Sequence, residues 1–228
     1  MSSVVSAVDL KIGYSSSSVL SSIDNLQIDK GEIVSIIGES GIGKTTLLRN
    51  IAKLQKPLNG QLLIFGSSSY PGRGDVGYIP QKLGLVKHET VYFNVLKGAI
   101  CHESIVKSIF GLHDQKVVDK VEESISLMKL IDKMDSPVKQ LSGGQQRRVA
   151  IARTMAQGAK LILADEFLSE LDDKTGDTVW NVMHDYVKSN QITLIIVEHN
   201  IERAKLADRC FKLERSENSI SILVEVEK

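Results

Sequence analysis

Nine residues constrain this chain more than any others: Gly38-Glu39-Ser40-Gly41-Ile42-Gly43-Lys44-Thr45-Thr46. They have the G-x-x-x-x-G-K-[ST] spacing of a phosphate-binding loop. Such a loop needs a buried strand before it and a helix after it, and both flanks are present. Ile33-Val34-Ser35-Ile36-Ile37 is almost wholly apolar, like a strand covered on both faces of a parallel sheet. Thr46-Leu47-Leu48-Arg49-Asn50-Ile51-Ala52 carries apolar residues at helical spacing. The glycines let the backbone curl until successive N–H groups point at phosphate oxygens, and the helix N-terminus adds partial positive charge. In that arrangement Lys44 reaches the β- and γ-phosphates and the Thr45 hydroxyl ligates Mg²⁺. The chain is therefore expected to bind a nucleoside triphosphate, and the loop alone leaves a kinase, a GTPase and a motor open.

Size and charge narrow the class. A chain of 228 residues suits one large α/β domain, or a domain with a sizeable insertion. Twenty-eight basic residues balance twenty-eight acidic ones, so no nucleic-acid partner is expected. Cys101 and Cys210 fit neither a metal-ligand spacing nor a disulfide framework, and suit a reducing compartment. The N-terminus lacks the basic start and apolar core of a signal peptide. No apolar run reaches the roughly 18 residues of a membrane span, so any membrane role is expected to come through a partner.

Along the chain, Val8, Leu10 and Ile12 alternate with Asp9, Lys11 and Gly13, the period of a half-buried strand. After Tyr14 the serines from Ser15 to Ser18 read as a turn. Ile23, Leu26 and Ile28 then suggest an antiparallel partner, closed by the turn Asp29-Lys30-Gly31-Glu32. Past the loop and its helix, Gln61 to Phe65 and Val76 to Pro80 read as strands. From about Leu83 to Gln140 the pattern turns helical, with Val117, Val121, Ile125, Met128 and Ile131 as an apolar packing stripe. Leu161-Ile162-Leu163-Ala164-Asp165 and Thr193 to Val197 are buried strands separated by a helix from about Lys174 to Lys188, which makes the sheet parallel there. Cys210 to Leu213 and Ile220 to Val226 form a terminal hairpin.

Two acidic residues close the first of those strands. Asp165 is placed to hold Mg²⁺ directly or through water. Glu166 follows at the mouth of the site, where a glutamate carries its charge at neutral pH and can act as general base on the attacking water.

With the next motif the chain resembles the ATP-binding-cassette ATPases over essentially its whole length. Leu141-Ser142-Gly143-Gly144-Gln145-Gln146-Arg147-Arg148 looks like that family's signature, a serine cap and two glycines at a helix N-terminus. The resemblance implies a P-loop NTPase (RecA-like) α/β core with a mainly parallel sheet, an N-terminal antiparallel β subdomain and an inserted α-helical subdomain. The core would cover about 1–82 and 146–228, and the helical part about 83–145. It implies ATP and Mg²⁺ as ligands and a second cassette docked head to tail, most simply a homodimer. Ser142, Gly143, Gly144 and Gln145 of one chain would then cap the γ-phosphate held by the loop of the other.

Further positions match in order. Tyr14 resembles the aromatic that stacks on adenine. Gln81 in Gly77-Tyr78-Ile79-Pro80-Gln81 resembles the glutamine that touches Mg²⁺ and water. Ser169-Glu170-Leu171-Asp172 looks like the loop that crosses between cassettes, and His199 like the switch histidine at the γ-phosphate. Phe167 stands where a proline usually follows the catalytic glutamate, and Glu170 where a small residue is usual, which puts the fine geometry of the dimer seam in question.

The resemblance also implies the energy-coupling subunit of a transporter, cytoplasmic and held at the inner face of the cell membrane by a multi-span permease. Gly84-Leu85-Val86, Asn94-Val95-Leu96-Lys97-Gly98, Ile109-Phe110-Gly111-Leu112 and Lys160-Leu161-Ile162-Leu163-Ala164-Asp165-Glu166 look most like the phosphonate-importer branch. A soluble cassette acting on a scaffold or assembly partner is the alternative. A second cassette in the same chain and a long coiled coil, which mark other soluble branches, are both absent.

Overall fold

The computed structural model describes residues 3–15, 18–103, 113–169, 171–216 and 220–226. In chain order the first elements are β1 (Ser3–Ser15), β2 (Ser18–Asp29), β3 (Ile33–Gly38), α1 (Lys44–Ile51), β4 (Asn59–Ile64) and β5 (Val76–Ile79). Then come α2 (Val91–Ala99), α3 (Gln115–Leu127), α4 (Gly143–Gln157), β6 (Leu161–Asp165) and α5 (Asp173–Ser189). The last are β7 (Thr193–Val197), α6 (Ile201–Ala204), β8 (Arg209–Arg215) and β9 (Ser221–Val226). Contacts group the chain into two compact units. One comprises Met1–Gly72, Leu161–Glu166 and Gln191–Lys228, and the other Arg73–Lys160 and Phe167–Asn190.

In the first unit the strands run in the order β4-β1-β2-β9-β8-β3-β7-β6. The centre is parallel: β3 pairs with β7 and β8, and β6 with β7. Every residue of β6 and β7 is buried, as continuous apolar strands with both faces covered must be. The N-terminal part is antiparallel, β1 pairing with β2 and with β4. Its junction with the parallel part has no counterpart in the sequence reading. The terminal hairpin β8–β9 turns back so that β9 runs parallel to β2, with Ser21 beside Ser221. One mixed sheet thus carries both parts.

The simple alternation expected in β1 is interrupted. Leu10 and Ile12 are fully buried, but Val8 is 45% exposed. Asp9 adopts a left-handed φ of +48° and the β1–β4 register shifts between Val8 and Lys11. Such a bulge inserts one residue, so the inward phase passes from Val5 and Ala7 to Leu10 and Ile12 and leaves Val8 outside. Gly60 faces the bulge, and a Cβ built there would sit 2.2 Å from the Asp9 carbonyl oxygen.

In the second unit α2, α3 and α4 pack against one another, and β5 lies against α4. Gly98 lets α2 approach α4 closely, since a Cβ there would meet the Arg153 carbonyl oxygen at 2.0 Å. The helical reading from Leu83 onward holds only from α2. Residues 83–89 are irregular because their carbonyls have other partners: Arg153 donates to Leu83 and Gly84, and the Asn94 amide to Val86. The α3 stripe also needs one correction. Val121, Ile125 and Met128 are buried, Val117 is half-buried, and Ile131 is 51% exposed while Leu130 is fully buried. The helix stops at Leu127 and Lys129 takes a φ of +53°, so the 3.6-residue period ends before Ile131.

Gly60→Ala should lower stability by about 1–3 kcal/mol, the usual cost of forcing a side chain into such a backbone. Urea unfolding measures this, and an unchanged midpoint would contradict the bulge.

Candidate active site

Three adjacent parallel strands, β3, β7 and β6, end side by side, and each delivers chemistry at its C-terminal end. β3 runs into the glycine loop, β6 into Asp165 and Glu166, and β7 into His199. The loop's conformation depends on two glycines in particular. Gly38 has a φ of +151°, and a Cβ there would meet the Leu213 carbonyl oxygen at 2.6 Å. Gly43, the residue before α1, has a φ of +117°. Neither position accepts an L side chain without strain.

Lys44, 5% exposed, folds back over the loop, its Nζ donating to the carbonyl oxygens of Gly38 at 2.6 Å and Glu39 at 2.8 Å. Burial draws its ammonium below the usual lysine range, while the charges of Glu166 and Asp165 pull the other way. Asp165 is 2% exposed, and burial pushes its carboxyl above the usual carboxylate range. The Thr45 hydroxyl donates to it and opposes that rise, as do the charges of Arg49 and Lys44, whereas Glu166 reinforces it. The Oδ1 of Asp165 is sealed from solvent without a hydrogen-bond partner among the described residues. A buried carboxylate oxygen with no donor, beside a hydroxyl at a phosphate loop, is the donor set a hard divalent cation takes.

Glu166 also has a left-handed backbone, with a φ of +54°, and its N–H donates to the Val197 carbonyl. One carboxylate oxygen lies 2.6 Å from Nε2 of His199. Both residues reach solvent, His199 with half its side chain exposed and Glu166 with a fifth. The backbone beyond His199 is fixed by Asn200, whose side chain accepts from the N–H groups of Glu202 and Arg203. Lys44, Thr45, Asp165, Glu166 and His199 therefore meet in one unit. Tyr14 stands in β1 of the same unit, 72% exposed, with its ring open to stacking.

The remaining candidates lie in the second unit. Gln81 is exposed just after β5. Ser142 caps α4 in a full capping box: its Oγ accepts from Gln145 N–H, and the Gln145 side chain accepts from Ser142 N–H. The amides of Gly143 and Gly144 stand in the first turn, outside the intrahelical ladder. Asp172 caps α5 by accepting from Thr175. Glu170 and the segment 109–112 lie outside the described residues. Phe167 is fully buried, and its ring centroid sits 6.4 Å from that of Trp180 on α5. The unusual residue after Glu166 is thus an apolar anchor. Ser21 and Asn200 escaped the sequence reading. Each left a signal: Ser21 is polar in the inward phase of Ile23, and Asn200 precedes an Ile-Glu-Arg helix start.

The sequence matches the ABC transporter family over residues 22–169. The chain belongs to that family, as an ATP-binding-cassette ATPase. It is similar to the phosphonates import ATP-binding protein PhnC of Lactobacillus gasseri, 41% identical over 192 residues that cover 79% of this chain and 72% of that protein. The Bacillus anthracis protein of the same name is 38% identical over 213 residues, 88% of this chain and 82% of its own length. Among solved structures, cbiO1 of Clostridium perfringens, part of the ABC transporter complex cbiONQ, matches with a TM-score of 0.80 at 25% identity, covering 99% of this chain and 88% of that one. The dimeric MJ0796 cassette bound to ADP and Pi has a TM-score of 0.80 at 24% identity, over 98% of this chain and 99% of its own, a likeness of fold.

Truncating the anchor tests the Phe167–Trp180 contact. Phe167→Ala should cost about 3–5 kcal/mol and shift the emission of Trp180, the single tryptophan, to longer wavelength. Unchanged stability and emission would contradict the packing described.

Proposed function

We propose that this cassette is the ATP-hydrolysing subunit of a phosphonate-type importer, working as a head-to-tail pair beneath a multi-span permease on the cytoplasmic face of the membrane. One observation carries the reading: five groups suited to phosphoryl chemistry, Lys44, Thr45, Asp165, Glu166 and His199, converge at three adjacent strand ends. The loop amides of Gly38, Glu39, Ser40, Gly41, Ile42, Gly43, Lys44, Thr45 and Thr46 cradle the phosphates. Lys44 must give up its two loop carbonyls to reach the β- and γ-phosphates, and its buried ammonium then meets a charge that matches it. Thr45 and Asp165 would hold Mg²⁺, which when bound would supply positive charge against the phosphates. Glu166 takes the proton of the attacking water. His199, whose Nε2 lies beside Glu166, leaves that carboxylate free to act as base when its Nε2–H turns to donate to the γ-phosphate as charge develops.

Ser142, Gly143, Gly144 and Gln145 form the second anion site, offered in trans. The Ser142 oxygen accepts from Gln145, so its own O–H is left to donate. Capping thus prepares a hydroxyl and two amides for a phosphate this chain does not itself hold. The phosphonate assignment rests on the names of the relatives at 38–41% identity and on the local matches around Gly84–Val86 and Asn94–Gly98. The helical part, about 83–145, supplies the permease-facing surface. No helix among the described residues is long and apolar enough to cross a membrane.

Glu166→Gln should bind ATP, accumulate as an ATP-bound dimer and lose at least about 10²-fold in turnover, the usual share of a general base. Size-exclusion chromatography and phosphate release measure both. Wild-type turnover in that variant would remove Glu166 from the base role. Gentle solubilisation of membranes should bring down a multi-span subunit with the cassette, whereas recovery with soluble partners alone would refute the transporter assignment.

A further inference from the structure

Ser21 is a polar residue in a position built for an apolar one. It lies in β2, fully buried, opposite Ile12 of β1 and beside Ser221 of β9. Its Oγ donates to the carbonyl oxygen of Ile42, 3.0 Å away in the middle of the phosphate loop. A Cβ on the next residue, Gly43, would lie 2.7 Å from the Ser21 Oγ, so only a glycine lets the loop pass this close to the hydroxyl. A buried hydroxyl aimed at one loop carbonyl fixes a single peptide plane. In a planar trans peptide the C=O of one residue and the N–H of the next point in opposite directions. Holding the Ile42 carbonyl toward β2 therefore aims the Gly43 N–H away from β2. The other limb of the loop is tied differently, by Lys44 Nζ at Gly38 and Glu39 and by Ile42 N–H at the Glu39 carbonyl. Ser21 is a tie from outside the loop that acts on a backbone carbonyl in its middle, whereas the exposed Arg215 side chain reaches only the Glu39 carboxylate, at 3.9 Å.

We propose that Ser21 is a positioning residue for nucleotide binding: its hydroxyl sets the Ile42–Gly43 peptide so that the Gly43 amide is already turned toward bound phosphate. This rests on the loop being the nucleotide site and adds a residue outside every nucleotide motif. Without the hydroxyl the plane can rotate, and the amide must be reoriented each time a nucleotide binds. The Gly43 amide meets phosphate in ground and transition states alike, so its misalignment weakens binding without slowing the chemical step. Gly43 and Ser21 form a matched pair, the first lacking a Cβ where the second needs room.

Ser21→Ala tests this in the full chain. Affinity for ATP should fall roughly two- to tenfold, the range set by one net hydrogen bond. KM should rise by the same factor, and kcat should stay within about twofold. Inorganic tripolyphosphate, used as a competitor, should weaken by that factor too, since the lost contact concerns phosphate and not the base. Ser21→Cys fills the same space with a weak donor and should fall between wild type and Ser21→Ala. If the alanine variant is too unstable to assay, the cysteine variant decides alone. Unchanged ATP affinity, a loss confined to kcat, or weaker ATP binding with unaltered tripolyphosphate would each overturn the proposal. Failure of the wild-type chain to bind ATP would instead overturn the nucleotide site itself.

Discussion

A bound polyphosphate demands several N–H groups pointing inward at once, and an ordinary turn cannot supply them. Much of the first unit follows from that demand. Gly38 and Gly43 take backbone angles that residues with a side chain resist. β3 holds the start of the loop rigidly because it is paired on both sides, with β7 and β8. Those neighbours also set what stands around the phosphates, since β7 delivers His199, and β6 beyond it delivers Asp165 and Glu166. Even the tail of the chain contributes. β8 approaches Gly38 too closely for a side chain, and β9 closes the sheet onto β2, whose Ser21 braces the loop.

The charged groups of the site are held in tension. Asp165 and Lys44 are both buried, and burial shifts each toward its neutral form. Each also eases the other, and Glu166 raises the cost for Asp165 while lowering it for Lys44. Phosphate would give the Lys44 ammonium an opposite charge and a divalent cation would take the open oxygen of Asp165, which is why an oxygen of Asp165 with no donor is consistent with a working site.

Sequence periodicity made the core legible, because its buried strands carry unbroken apolar runs such as Leu161–Ala164 and Leu194–Val197. The spacing of glycines, lysine and threonine located the loop, and the family resemblance pointed to His199, which lies beside Glu166. What periodicity missed depends on tertiary pairing. The bulge at Asp9 moved Val8 outward, and the left-handed Lys129 ended the α3 stripe before Ile131. No local pattern shows that Arg153 takes the carbonyls of Leu83 and Gly84, which keeps that stretch from becoming helix. Nor does one show that β9 joins β2, or that Phe167 is an apolar anchor whose ring lies tilted against Trp180. Ser21 was visible only as an inward-phase serine, and its partner lies 21 residues away.

Two prepared anion sites, a loop in one unit and a capped helix start in the other, make sense together if each serves a nucleotide shared between two chains. Mixing two inactive variants tests this most directly. Lys44→Ala disables the loop of one chain; Ser142→Asp keeps a good helix cap but sets a negative charge against the γ-phosphate offered by the other. In a head-to-tail dimer of the two, one site carries both lesions and the other carries neither. ATP hydrolysis should therefore be absent from each variant alone and return on mixing, toward half the wild-type rate per heterodimer. Heterodimers that form and stay inactive would contradict a composite site.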